Sequence, residues 1–291
     1  MPVSKRFIAI LFLLFTGVFA PLAEAAGTAH AEELFSIGPL PITNSMVTSW
    51  VIALLLILAV KLAVRKPQLV PSRGQAVVES LVEGVFALIE PIVGKKTAKA
   101  AFPLLVGLFI YILIQNWSGL IPGVGTIGWG ETTEHGFHVI TPFIRPANAD
   151  MNGTIALAIV SMVAWIFFIF KYAGLKVIIY DLFGNKAEKN EIPALIYYFL
   201  FPIFFAVGLI EILSILFRPV SLSFRLFGNV FGGENLLHSM TAISKWGLPI
   251  PFYFLEVLIG FVQALVFVLL VSVYIGLLCN HGDDHDKEAS H

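Results

Sequence analysis

The chain has 291 residues, of which 58% are hydrophobic and only 13% are charged, with a formal net charge of -1. This composition is too apolar for an ordinary soluble domain and is typical of a protein that crosses a membrane several times. The 18 Lys and Arg residues form no basic stripe among exposed aromatics, so nucleic-acid binding has little support. The single cysteine, Cys279, excludes an internal disulfide framework and a cysteine-built metal site.

The N-terminus has the pattern of a signal peptide. Basic residues precede an apolar run from Phe7 to Ala20, and small residues follow it. We expect cleavage just after Ala25 or Ala26, which makes residues 1–26 a signal peptide; the alternative is an uncleaved first membrane anchor. In either case the segment that follows is expected outside the cytoplasm.

Five stretches are apolar and long enough to cross the hydrocarbon core of a bilayer, which takes about 20 helical residues. In chain order they are Val47 to Val64, Phe102 to Ile121, Gly153 to Phe170, Ile192 to about Ser239, and Trp246 to Asn280. We predict an all-α integral membrane protein with about five membrane-embedded helices, of which the last two are long and tilted. They form a single membrane domain, residues 27–280, followed by a polar C-terminal tail, residues 281–291.

Between the first two stretches, apolar residues recur at helical spacing while acidic residues occupy a different face. The apolar residues are Val78, Val82, Val85, Ile89 and Ile92, and the acidic ones are Glu79, Glu83 and Glu90. The pattern predicts an amphipathic surface helix. It lies on the membrane or on a partner, or it packs against the spans of the same chain, and the sequence favours neither interpretation.

Positive charge in the connecting segments predicts the orientation, because cytoplasmic loops retain Lys and Arg. Residues 61–99 contain seven of them and residues 171–189 contain four, whereas residues 122–152 contain only Arg145. We therefore expect a multi-pass protein of the bacterial inner membrane, with its N-terminus outside and its C-terminus in the cytoplasm. The His and acidic residues within 131–138 are interpreted as a solvated loop, and we expect no metal and no cofactor.

The segment from Glu211 to Glu234 carries four charged residues at membrane depth. Each costs about 2.5 to 3.5 kcal/mol even on lenient insertion scales, so the charges must be compensated. A seven-residue step returns a helix to within about 20° of its starting direction, so Glu211, Arg218 and Arg225 share one stripe. Glu234 lies about 180° from Arg225 on such a helix and is expected to face the stripe of Glu256 and Gln263 on the next helix.

Small residues surround Arg225 on its helix. Ser221, Gly228 and Gly232 lie at helical spacing from it and make a thin face along which another helix can approach closely. The alternative is a tightly packed helix pair within the chain, with its charges neutralised by internal salt bridges.

The stretch from Pro219 to Asn229, PVSLSFRLFGN, resembles the signature of subunit a of F-type ATP synthases. Three further stretches resemble other parts of that family: Asn116 with Gly119–Pro122, Asp150–Ala158, and the helix around Gln263. The resemblance implies a non-catalytic channel subunit, a stator with two offset half-channels that carry H+ to and from a rotating ring of c subunits. It also implies the b-subunit peripheral stalk, the remaining synthase subunits and membrane lipid as partners.

The resemblance also implies residue roles. Arg225 matches the essential arginine of the family, Glu211 an acid of the cytoplasmic exit path, and the entry path is matched by Asn229, Glu234, Glu256 and Gln263. The family often pairs an acid with a histidine across the last two helices, whereas this chain has Glu at both positions. The two carboxyls share a proton and form a relay, or they lie too far apart to couple.

Two other functions are less well supported. A secondary transporter would show internal repeats and broken half-helices in corresponding positions, and neither is apparent. An intramembrane hydrolase would need a Ser, His and acid set or an HExxH motif within a span, and His238 is alone in its helix. The choice between H+ and Na+ is expected to depend mainly on the ring.

Overall fold

The computed structural model is helical over most of the chain that it describes. The described residues are 31–65, 67–121, 124, 127–133, 136–172, 174, 194–244 and 247–288. The predicted signal peptide and most of the second basic segment, residues 171–189, lie outside them. Six α-helices are present in this part of the chain: α1 (Asn44–Ala63), α2 (Arg73–Val93), α3 (Lys95–Ser118), α4 (Met151–Tyr172), α5 (Ala194–Ile243) and α6 (Pro249–Glu288).

Five of these helices, all except α2, are long and apolar enough to cross a membrane, which confirms the predicted number of spans. The largest differences in bounds are that α6 continues to Glu288 rather than ending at Asn280 and that α3 begins at Lys95 rather than at Phe102. The apolar part of α5, Pro202–Ile243, has 42 residues. At 1.5 Å per residue it is about 63 Å long, roughly twice the hydrocarbon thickness, so it is much longer than an upright span requires.

Helix α6 is the centre of the packing, since it contacts α2, α3, α4 and α5. Its side chains Phe267, Val271 and Ile275 are almost completely buried. Gly276 lets α2 approach closely, because a Cβ at that position would overlap the carbonyl oxygen of Ile92. The helix continues to Glu288, so most of the predicted polar tail is helical.

Helix α2 packs against α3 and α6 through the predicted apolar stripe. Of the five predicted apolar residues, Val85 and Ile89 belong to the main hydrophobic core and the other three are half-buried, whereas Glu79 and Glu83 are exposed; Val93, which was not in the predicted stripe, is also in the core. The interpretation in which the amphipathic helix packs against the spans of its own chain is therefore confirmed for this face.

Two short antiparallel hairpins were not predicted. They pair β1 (Glu33–Ile37) with β2 (Leu40–Thr43) and β3 (Gly128–Thr133) with β4 (Gly136–Pro142). The turn between β1 and β2 contains Gly38 with φ of 62°, a left-handed conformation that glycine adopts without strain. The Nδ2 of Asn44, at the start of α1, donates to the carbonyl oxygen of Pro142 at 2.9 Å, so β4 is held at the N-terminal end of α1.

Candidate functional site

Arg225 lies on an exposed face of α5. We call the residues Ser221, Arg225, Gly228 and Gly232 the open face, since all four are exposed. A Cβ added at Gly228 or Gly232 would have no neighbouring atom within 4 Å. Within the described part of the chain, the guanidinium of Arg225 has neither a hydrogen bond nor an ion pair. The alternative of internal salt bridges around this arginine therefore finds no support among the described residues.

The adjoining side of α5 is packed. Leu222, Leu226, Gly233 and Leu237, which we call the packed face, are buried. Next to them, the buried hydroxyl of Ser223 lies 3.0 Å from Thr154 Oγ1 of α4. Apolar burial and this polar contact together fix the rotation of α5 about its own axis.

Arg218 differs from Arg225 although both lie on the predicted stripe. Its guanidinium carbon lies 4.6 Å from the ring centroid of Tyr274 and 5.7 Å from that of Trp165. A seven-residue step leaves about 20° of rotation, which turns Arg218 toward the packed face. The sequence correctly predicted the shared stripe but did not predict that Arg218 is stacked on aromatic rings within the chain.

A cavity between α3, α5 and α6 brings together four of the predicted site residues. Its volume is about 30 Å³, enough for at least one water molecule. The predicted residues among its lining are Asn229, Glu234, Glu256 and Gln263. Asn229 Nδ2 donates to Gln263 Oε1 at 2.7 Å, which joins α5 to α6 directly. Glu234 shares this cavity with the Glu256 and Gln263 stripe, as the helical wheel predicts.

Glu256 is positioned by a glycine on the facing helix. Its side chain is buried, and a Cβ at Gly233 would overlap the carboxyl group. Any larger residue at position 233 must therefore displace the carboxyl or separate the two helices. Sequence analysis assigned no role to Gly233, because nothing local distinguishes it from Gly232.

Arg225 and Glu211 do not line this cavity. Glu211 is partly exposed on α5, and 14 helical residues separate it from Arg225, which corresponds to about 21 Å along the axis. The six predicted site residues are thus divided into a cavity group of four, the open-face arginine, and Glu211 further toward the N-terminus of α5.

A buried polar layer beside the cavity was missed by the sequence analysis. Asn148 Nδ2 donates to Asn116 Oδ1 at 2.7 Å, and Asn116 Nδ2 donates to the Gly260 carbonyl at 2.9 Å. Gln115 Oε1 accepts from the Ala147 amide at 3.3 Å. Buried polar groups are costly unless they are hydrogen-bonded, so this layer fixes how α3 meets α6 and the turn before α4. The adjacent polar pair Gln115 and Asn116 within an apolar span was the available signal.

Arg145, which was expected in an outer loop, is buried. Its backbone amide donates to Thr48 Oγ1 at 3.2 Å, and its Nη2 donates to the carbonyl oxygen of Ala149 at 3.3 Å. The nearby Asp150 accepts from Ser45 Oγ at 2.9 Å. These contacts tie the segment before α4 to the start of α1.

Comparisons with known proteins point to the same family over most of the chain. A family model described as ATP synthase A chain matches residues 46–276. An ATP synthase subunit a of Moorella thermoacetica is 34% identical over 84% of this chain and 94% of its own length. An ATP synthase subunit a of Gloeobacter violaceus is 31% identical over 86% of this chain and 90% of its own length. An ATP synthase subunit a 2 of a Bradyrhizobium species is 33% identical over 84% of this chain and 92% of its own length. The chain therefore belongs to the family of subunit a of F-type ATP synthases.

Proposed function

We propose that this chain carries protons through two half-channels that approach each other at Arg225, and so turns a ring of c subunits. Membership of the family makes it the ion-translocating stator subunit and a channel subunit of a multi-subunit complex. The observation that carries the finer proposal is the position of Arg225. A permanent charge stands on an open face of a membrane-spanning helix, without an ion pair among the described residues of its own chain.

The guanidinium of Arg225 acts as a fixed charge, because it stays protonated at any ordinary pH and cannot relay protons. A fixed positive charge favours the ionised form of a carboxyl that comes close to it. A carboxylic acid of the ring therefore releases its proton beside Arg225. The same charge repels hydrated protons and so opposes direct leakage between the half-channels.

Rotation of the ring is biased by the cost of placing charge in hydrocarbon. A neutral carboxylic acid can face the lipid, whereas an ionised one cannot. Gly228 and Gly232 support this proposal, since their exposed backbone leaves room for a ring helix to approach Arg225 closely.

The polar cavity serves as part of the entry half-channel in this proposal. Glu234 and Glu256 line the same cavity from facing helices, so they are suited to pass a proton directly or through one water molecule. The hydrogen bond between Asn229 and Gln263 holds the two helices together beside that route. Glu211, about 21 Å from Arg225 along α5, is proposed to serve the exit half-channel.

The remaining proposals concern processing, surroundings and partners. Residues 1–26 are a signal peptide that is cleaved, and residues 27–280 form one membrane domain. In the bacterial inner membrane, the N-terminus lies outside and the C-terminus lies in the cytoplasm. The partners are the c ring, the b-subunit peripheral stalk and the remaining synthase subunits, and the chain itself is non-catalytic.

Co-purification tests the proposed contact with the c ring. Isolation of an intact complex without a small ring-forming subunit would contradict the proposal.

The decisive variant is Arg225→Ala. We expect ATP-driven proton pumping and coupled synthesis to be abolished in membrane vesicles, because no fixed charge remains to drive proton release from the ring acid. The amount of assembled complex should match the unmodified one, since Arg225 is exposed and has no ion pair in the described chain. Normal coupled pumping by the variant would refute the proposed gate.

The coupling ion needs its own measurement. The rate of ATP synthesis by the unmodified complex is expected to be independent of sodium concentration at constant pH if protons are carried. If the rate of synthesis rose with sodium concentration, the coupling ion would be Na+ rather than H+, and the proposed role of Arg225 would be unchanged.

A further inference from the structure

The connection between α1 and α2 is held at the end of a membrane span. A Cβ at Gly74, in the first turn of α2, would lie 3.1 Å from the Ala63 carbonyl oxygen and 3.2 Å from its Cα. The start of α2 therefore packs directly against the last residue of α1. Because α1 is a candidate membrane span that ends at Ala63, the connection lies at the depth of the membrane surface.

One buried glutamine, Gln75, fixes the shape of residues 68–72 of this connection, which we call the tip loop. Gln75 Oε1 accepts from the amide of Gln68 at 3.1 Å, and Gln75 Nε2 donates to the Gln68 carbonyl at 2.9 Å. The same Nε2 lies 2.7 Å from Glu79 Oε1, and Ser72 Oγ accepts from the Gln75 amide at 3.4 Å. These contacts hold the loop in one conformation.

The tip loop presents two apolar side chains that contact almost nothing. The exposed fraction is 106% for Leu69 and 82% for Val70, the highest among the large hydrophobic residues described. A loop that is hydrogen-bonded at its ends and points two aliphatic side chains away from the protein, at the level of the membrane surface, is suited to enter the interface between headgroups and acyl chains.

Helix α2 continues this apolar surface with a second stripe. Val77, Leu81 and Leu88 are exposed and lie within about 40° of one another on the helix, apart from the face that packs on α3 and α6. The exposed acids Glu79 and Glu83 occupy the opposite side. An apolar stripe with a charged face opposite to it allows a helix to lie in the membrane interface with the acids turned toward water.

Two exposed arginines flank the tip loop. Arg65 precedes it and Arg73 follows it at the first position of α2. Guanidinium groups bind phosphate oxygens well, and basic residues at this depth attract anionic lipids of the cytoplasmic leaflet. The combination of an inserted apolar tip and two flanking guanidiniums matches a phospholipid headgroup better than it matches a protein helix, which would need a longer apolar groove.

We propose that the tip loop, with Arg65 and Arg73, is a binding site for anionic phospholipids of the cytoplasmic leaflet. Leu69 and Val70 enter the interface, the two guanidiniums bind headgroup phosphates, and the stripe of Val77, Leu81 and Leu88 lies on the acyl chains beside them. This site is separate from the ion pathway and does not depend on the role of Arg225.

A lipid-quenching experiment tests this site in the full-length chain. Cys279→Ser removes the only thiol, and Leu69→Cys then takes a bimane label in protein reconstituted into nanodiscs that contain brominated phosphatidylglycerol or brominated phosphatidylcholine. We expect the anionic lipid to quench the label about twofold more strongly than the zwitterionic lipid at equal mole fraction, because basic side chains enrich anionic headgroups. A label at Glu83→Cys should be quenched by neither lipid.

Charge-removal variants separate headgroup recognition from general attraction. In Arg65→Gln/Arg73→Gln the preference for the anionic lipid should disappear, whereas Lys95→Gln/Lys99→Gln, which removes equal charge from exposed residues of α3, should keep it. Equal quenching by both lipids with the arginines intact would overturn headgroup recognition. A label at position 69 that neither lipid quenches would overturn membrane contact and leave the loop to water or to another subunit.

Discussion

The packed face and the open face of α5 use similar residues in different ways. On the packed face, Gly233 lies against the carboxyl group of Glu256, and beside it Arg218 stacks on Tyr274. On the open face, a Cβ added at Gly228 would have no neighbouring atom within 4 Å, and Arg225 has no ion pair in the described chain. The packed face is therefore stabilised by contacts within this subunit, whereas the open face makes no such contacts among the described residues and is the surface on which we propose that a ring helix packs.

The strongest test of the packed face is Gly233→Ala. The new methyl group would overlap the carboxyl of Glu256 and displace it from the cavity. We expect proton pumping per assembled complex to fall by about tenfold or more, since a displacement of about 1 Å at a reacting group can cost up to 10²-fold. Gly107→Ala, a glycine of α3 with open space around it, is the matched control and should pump normally. Normal pumping by Gly233→Ala would show that the position of Glu256 is unimportant.

The two acids outside the packed contact should have intermediate effects. Glu234→Gln and Glu211→Gln keep the size of the side chain but remove the group that takes up and releases a proton. Ion flux at a fixed membrane potential should slow without being abolished, because general acid and base groups raise the rate without being the only route for the proton. Glu79→Gln on α2 is the control and should leave the flux unchanged. Complete loss of flux in Glu211→Gln would make that acid obligatory rather than assisting.

Arg218→Gln tests whether the two arginines differ as their surroundings suggest. Loss of stacking on Tyr274 and Trp165 should lower the free energy of unfolding by about 0.5 to 2 kcal/mol, the range for cation–π contacts. The thermal midpoint in detergent measures this change, while pumping per assembled complex should stay near normal. If the variant did not pump protons and its thermal midpoint were unchanged, Arg218 would be needed for pumping, as we propose for Arg225, and not for stability.

The smallest expected effect is that of Gly228→Ala on the isolated chain. The added methyl group meets no atom of the chain, and alanine is favoured over glycine within a helix by about 0.5 to 1 kcal/mol, so stability should hold or rise slightly. In the assembled complex, pumping should fall a few-fold if a ring helix approaches this face closely. Unchanged pumping would indicate that nothing packs against Gly228.

The five spans, the amphipathic stripe of α2 and the position of Arg225 among small residues could be predicted from the sequence. Hydrophobic length and helical periodicity are local properties, and a permanent charge in an apolar run is visible without a fold. The opposite placement of Glu234 and Arg225 on α5 also followed from 100° per residue alone.

Tertiary structure alone decided which partners these residues meet. Three contacts join segments that are far apart in the chain, so no local pattern encodes them. They are the contact of Gly233 with Glu256, the stacking of Arg218 on Tyr274, and the hydrogen bond between Asn148 and Asn116. Arg218 and Arg225 share a stripe in the sequence, yet a rotation of about 20° per heptad turns one toward aromatic rings and leaves the other on the open face. The sequence by itself determined where the charges lie along α5 and in which direction each one points around the helix axis. The packing of α5 on α4 and α6 decided which of these charged side chains contacts the rest of the subunit.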